Sequence, residues 1–291
     1  PTAKMYREES INIIKTVAPK GSEARVKYLS ALASLANYAK NYGSMIESFQ
    51  KGDMLARKVV LEGELSSWID AKTSRSDKYV SSIKQLEVLI KQDQDHQERD
   101  MIMSYLNRNS LMPIATRLYR LAHENQKKNS LRDPGYQERD MKRFTQKVKR
   151  ISKRFDADVD GAIISHFMGR YIALPKKERL AAFDQFFGLT SKTSKQAIDE
   201  TLSDMFANTK LGDEQVRLDW MSASVDDFKR SNDPFIQYAV AMYDTQVIKR
   251  KKAKELAGQM QLAKPKYMEA LIAYKKSSGQ AVYADANIAY A

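Results

Sequence analysis

The 291 residues carry 49 Lys+Arg against 36 Asp+Glu, a formal charge of +13, with three His, two Trp and no Cys. Lack of cysteine excludes disulfide frameworks, thiolate zinc sites, iron–sulfur clusters and cysteine nucleophiles. Eleven glycines and seven prolines, roughly half of average usage, argue against turn-rich sandwiches, propellers and collagen-like arrays, and no apolar run nears the ~18 residues of a membrane span.

The opening Pro1-Thr2-Ala3-Lys4 has neither an initiator Met nor a signal-peptide core, so the chain reads as a trimmed or excised piece. From Ser22 to Phe49 the apolar positions Val26, Leu29, Ala33, Ala36, Met45 and Phe49 recur at helical steps and predict a long first helix with that face inward. Asp53 is expected to cap a second helix carrying Leu55, Val59, Leu65 and Trp68, with residues 72–76 as a connecting turn. A third run covers Val80 to Ile90. The register from Met101 to Leu121 contains Pro113, which removes a donor and crowds a carbonyl, so a kink or break is expected near Met112.

Asp133-Pro134-Gly135 is the strongest turn signal and marks a possible division into two lobes, 1–132 and 133–291. Helices are then expected over 137–155, 158–171, 175–187 and 192–206. Asp233-Pro234 opens another, and a last one runs from Pro265 to about Lys276. Beyond Ser278-Gly279 the segments Gln280–Tyr283 and Ile288–Tyr290 look strand-like. No fixed period recurs, so the fold class is all-α: a non-repetitive multi-helix array with a long first helix and a short extended C-terminal tail.

Several chemistries lack their parts. There is no glycine-rich phosphate loop, His-Glu-x-x-His helix or nucleophile elbow. A serine triad would have to use His96, His123 or His166. His96 sits in Asp93-Gln94-Asp95-His96-Gln97-Glu98, which reads as an acidic helix start rather than a metal site. His166, between Ile163-Ile164 and Phe167-Met168, reads as a hydrogen-bonded core histidine, and His123 beside Glu124 likewise, so no catalyst, metal site or cofactor site is assembled. Two basic runs, Arg139–Arg154 and Lys249–Lys254, could serve a helical nucleic-acid-binding module, the alternative reading. Without an accompanying nucleic-acid motif they read better as solvated helix faces. A plain protein–protein adaptor is a further rival. Asn37 and Asn41, four apart beside Tyr38 and Tyr42, put two neutral carbonyl acceptors on one helix face.

Around those asparagines the sequence resembles a known family. Ala24-Arg25-Val26-Lys27-Tyr28, Ala36-Asn37-Tyr38-Ala39-Lys40-Asn41 and Gly43-Ser44-Met45 are similar to the opening of the helical domain of bacterial dipeptidyl-peptidases of serine peptidase family forty-six. Pro134–Asp140, Asp233-Pro234-Phe235 and Val282-Tyr283-Ala284-Asp285-Ala286-Asn287 follow in the family's order, with Ala284 where relatives commonly have proline and Ala39 where many have an aromatic residue.

The resemblance implies a single helical cap domain over 1–291, inserted in a chymotrypsin-like double barrel whose His-Asp-Ser triad lies outside it. It implies a periplasmic hydrolase that releases dipeptides from peptides with a free N-terminus, works as a homodimer, and needs no metal or other cofactor, membrane or nucleic acid. Asn37, with Asn41 in reserve, would bind the substrate's N-terminal amine, because a buried ammonium without acceptors costs several kcal/mol. The isolated domain would be inactive.

Overall fold

The computed structural model describes residues 1–280. Among them are thirteen α-helices and no strand: α1 (Thr2–Val17), α2 (Glu23–Lys51), α3 (Met54–Asp70), α4 (Thr73–Gln94), α5 (Gln97–Leu106), α6 (Leu111–Asn125), α7 (Met141–Arg150), α8 (Ala157–Ile172), α9 (Ala181–Phe187), α10 (Lys195–Asn208), α11 (Glu214–Asp219), α12 (Val225–Arg230) and α13 (Pro234–Ser277). None of these helices is long and apolar enough to cross a membrane. The helices differ in length and connection, so the array is all-α and non-repetitive.

The chain divides into two compact units. One comprises Pro1–Ser44 and Glu98–Ile248; residues 132 and 133 both lie inside it. Its core is built on Leu106, Leu111, Ala115 and Leu118, packed with Ile164, Phe167, Phe228 and Phe235, all fully buried. Each such Leu or Phe contributes about 1.5–3 kcal/mol by leaving water. Helix α1 docks on α8 through Tyr6, edge-on to Phe167 at 5.5 Å, and through Glu9, which accepts from Arg170 and meets His166 Nε2 at 2.9 Å. The other unit runs from Met45 to Gln97 and resumes at Lys249. There Leu65, Ile69 and Tyr79 pack on Ala270, and Leu86 and Leu89 on Ala263. Ala263 and Ala270 lie seven residues apart on one face of α13, where small side chains let neighbouring helices approach. Tyr267 and Tyr274 donate to Glu62 and Glu64 at 2.5 and 2.8 Å.

Local chemistry explains five of the thirteen helix starts. Asp156, Ser194, Asp213 and Ser224 each accept from a backbone amide of the first turn, and Asp233 accepts from the Phe235 and Ile236 amides at 3.0 and 3.3 Å.

Other expectations need correction. A helix, α1, precedes the one expected first, and the longest is α13, of 44 residues. Asp53 precedes α3 without capping it through its side chain; its φ of 49° is left-handed. Thr73–Ser76 are the first turn of α4, not a connection. The break near Pro113 falls at 107–110, where buried Asn109 accepts from the Met112 amide at 2.9 Å and donates to the Leu106 carbonyl at 3.0 Å. Pro113 then occupies the first turn of α6, where no donor is required.

The expected helix over 175–187 splits into a short 3₁₀ turn, Lys176–Glu178, and α9. Pro265 starts no helix; it lies inside α13. Its position is exposed, so water can reach the carbonyl its missing amide leaves free. Asp93 lies in the last turn of α4 and Asp95 just after it, so only Glu98 and Asp100 form an acidic helix start, with His96 in the joint at φ 64°. The expected extended tail lies outside the described residues beyond Gln280.

Candidate functional site

Helix α2 is held by Tyr28, Leu35 and Ala39, which are buried with Leu32 beside them, whereas Val26 and Leu29 of the predicted inward stripe are 63% and 55% exposed and Met45 and Phe49 are exposed too. At about 100° per residue the two stripes lie roughly 110° apart around the helix. The sequence offers α2 two apolar faces, and the one with tyrosine and leucine finds the core.

The anchor at the start of α2 is polar. The Tyr28 hydroxyl donates to Asp160 of α8, and Asp160 Oδ2 accepts from the Ser110 amide at 2.8 Å. Asp160 is fully buried. Burial raises its carboxyl pKa to about 7, opposed by the bonds from Tyr28 and Ser110. Burial, reinforced by the Asp160 charge, likewise raises the Tyr28 hydroxyl out of the titrating range. One buried carboxyl thus joins α2, α8 and the 107–110 link.

Opposite the buried stripe, Ser30, Ser34, Asn37 and Asn41 fall within an arc of about 60°. Both asparagines are exposed. The tyrosines beside them are occupied: the Arg7 guanidinium lies over Tyr38 at 5.4 Å and Tyr42 at 4.5 Å, and donates to the Tyr105 hydroxyl at 2.5 Å. This fastens α1 to α2 and puts a cation beside the asparagine face.

A cavity of about 550 Å³ adjoins the first turns of α2. Lys27, Ser30 and Ser34 form one wall, Arg108 and Arg117 another, and Lys147, Ile151 and Arg154 the third. Neither asparagine lines it. The basic run of residues 139–154 is therefore divided by the fold. Phe144 and Val148 enter the core, Lys147 and Arg154 turn to the cavity, and Lys142, Arg143, Lys149, Arg150 and Lys153 face solvent. Sequence reading missed the cavity because its walls are up to 127 positions apart. It also missed fully buried Arg217, which donates to the nearby carbonyls of Leu211 and Gly212 at 2.7 and 2.8 Å and to the distant Ser152 Oγ at 2.5 Å.

The histidines take structural surroundings. His166 meets Glu9, while His123 stacks on Tyr243 at 4.0 Å; burial, then the Lys229 charge, lowers its pKa. No group of three or more His, Asp or Glu among the described residues is arranged to hold a metal ion.

Fold and site together define an all-α module that presents amide and cationic side chains from a long helix. A model of the family described as Peptidase S46 matches residues 1–290. An Asp/Glu-specific dipeptidyl-peptidase of Shewanella putrefaciens is 32% identical over 287 residues, 99% of this chain and 38% of that protein. The chain belongs to the peptidase S46 family and spans well under half the length of this relative.

Proposed function

We propose that this chain is the helical cap domain of a serine-type dipeptidyl-peptidase, covering its active-site cleft and holding the N-terminal amine of the peptide substrate. The observation that carries the reading is the asparagine face of α2: Asn37 and Asn41 are exposed on one side of a helix anchored from behind by Tyr28, Leu35 and Ala39. Amide carbonyls on a braced helix accept from an ammonium without having to reorganise. The Arg7 charge beside them opposes that role, so each acceptor matters.

The exposed stripe of Val26 and Leu29 on α2 suits burial against the catalytic barrels of the same parent chain, which would carry the triad. A homodimer of the full-length enzyme and a periplasmic setting belong to the same proposal; fractionation and light scattering of the full-length protein test them.

The decisive experiment is Asn37→Ala in the full-length enzyme, assayed on dipeptidyl substrates with free and acetylated amines. Loss of one charge-assisted bond of about 1.5–3 kcal/mol lowers kcat/KM for the free-amine substrate by roughly 10- to 150-fold and narrows its advantage over the acetylated one. Unchanged kinetics would remove Asn37 from the site. This chain alone should hydrolyse no such substrate, and turnover by pure material that serine-directed inhibitors abolish would overturn the cap assignment.

A further inference from the structure

Beside the asparagine face, five cations and no carboxylate line the 550 Å³ cavity. Lys27 is paired with Glu23 at 2.9 Å. Arg108, Arg117, Lys147 and Arg154 have no acidic partner among the described residues. They arrive from three separate places, the 107–110 link, α6 and the 147–154 stretch, so this is no by-product of one charged helix. Lys147 of α7, Ile151 of the 3₁₀ turn that follows it and Arg154 at the end of that turn line the same cavity, and Arg117 shares a face of α6 with Pro113 and Ile114, which also line it.

Besides Glu23, which pairs with Lys27, the buried Asp160 sits behind the cavity wall, bonded to the lining residues Tyr28 and Ser110. Both of its oxygens are occupied, by the Tyr28 hydroxyl and the Ser110 amide. The four cations without an acidic partner repel one another, and a concave wall focuses their field on whatever anion enters. Guanidinium groups add planar donor pairs that match carboxylate and phosphate oxygens, and Ser30 and Ser34 add neutral donors.

We infer that this cavity is a binding site for a small ligand bearing two or more oxyanion groups, phosphates or carboxylates, separate from the asparagine face and independent of its role. The volume falls in the range of small-molecule pockets. The shared chemistry is multivalent oxyanion recognition, and the test separates its two sources.

Titration calorimetry of this chain with inorganic pyrophosphate and with citrate, over a salt series from 50 to 300 mM NaCl, provides the measurement. Both probes should bind at low salt and weaken as salt rises. The tighter one identifies the preferred group. The double variant Arg117→Gln/Lys147→Gln should weaken the tighter probe at least tenfold, whereas Lys251→Gln/Lys252→Gln, in the other basic run, should change it less than twofold. Arg117, Lys147, Lys251 and Lys252 are all exposed, so both variants retain the core, and their melting curves verify this. Absence of binding by either probe at 1 mM and 50 mM NaCl overturns the inference. So does equal weakening by the two double variants, which would show that net charge alone is being read.

Discussion

Replacing Tyr28 by Phe removes one oxygen from the back of α2 and keeps the ring. The lost hydroxyl is a donor to buried Asp160, which then relies on Ser110. A hydrogen bond to a charged acceptor is worth about 1.5–3 kcal/mol and one between neutral groups about 1 kcal/mol, so the cost depends on the protonation of Asp160. With its pKa near 7, Asp160 is largely protonated at pH 5.5 and largely ionised at pH 8.5. The folded-state pKa lies above the unfolded value of 3.8. The folded protein therefore holds this proton more tightly: the stability it contributes is fully present below about pH 4 and lost as pH rises through 7.

Tyr28→Phe should move that folded pKa further up, because the hydroxyl bond lowers it. The destabilisation should grow from about 1 kcal/mol at pH 5.5 to about 2–3 kcal/mol at pH 8.5, and an increase of ~1.4 kcal/mol corresponds to one unit of added pKa shift. Urea unfolding read by Trp220 fluorescence, in a Trp68→Phe background, reports on the unit that contains Tyr28. An equal cost at both pH values, or less than 0.5 kcal/mol at pH 8.5, would refute the linkage.

Arg217→Ala leaves the Leu211 and Gly212 carbonyls and Ser152 without their donor in a fully buried position, and should cost about 3 kcal/mol by urea unfolding at neutral pH. A loss under 1 kcal/mol would mean that water replaces the guanidinium. In the other unit, Pro265→Ala restores an amide inside α13 at an exposed position and should slow hydrogen exchange of the surrounding helix, gaining about 1–3 kcal/mol of local stability. Faster exchange there would show that proline geometry is needed in the bundle.

How much of the site was legible depends on sequence distance. The asparagine pair was legible because positions four apart on a helix share a face whatever the helix packs against. The inward stripe of α2 was misread for a related reason: periodicity gives the spacing of apolar residues, but Val26, Leu29, Ala33, Ala36 and Tyr28, Leu32, Leu35, Ala39 satisfy it equally. The aromatic ring and hydroxyl of Tyr28 decide between them, and only because Asp160 and Ser110 wait at 132 and 82 positions' distance. Proline favours first turns, which is why Pro265 reads as a start; exposure on one side of a long helix allows it inside α13 instead.

Sequence alone determined the helical class, since few glycines and prolines leave long periodic runs uninterrupted, and the Asp233 cap, since a side-chain oxygen reaches only amides two or three residues away. It also carried the family likeness, which is a property of order and identity rather than of packing. Tertiary structure decided which face of α2 is covered, which members of the 139–154 run enter the core, and that five cations from four segments surround one cavity. Those outcomes depend on partners far along the chain, and no local spacing encodes which distant groups will meet.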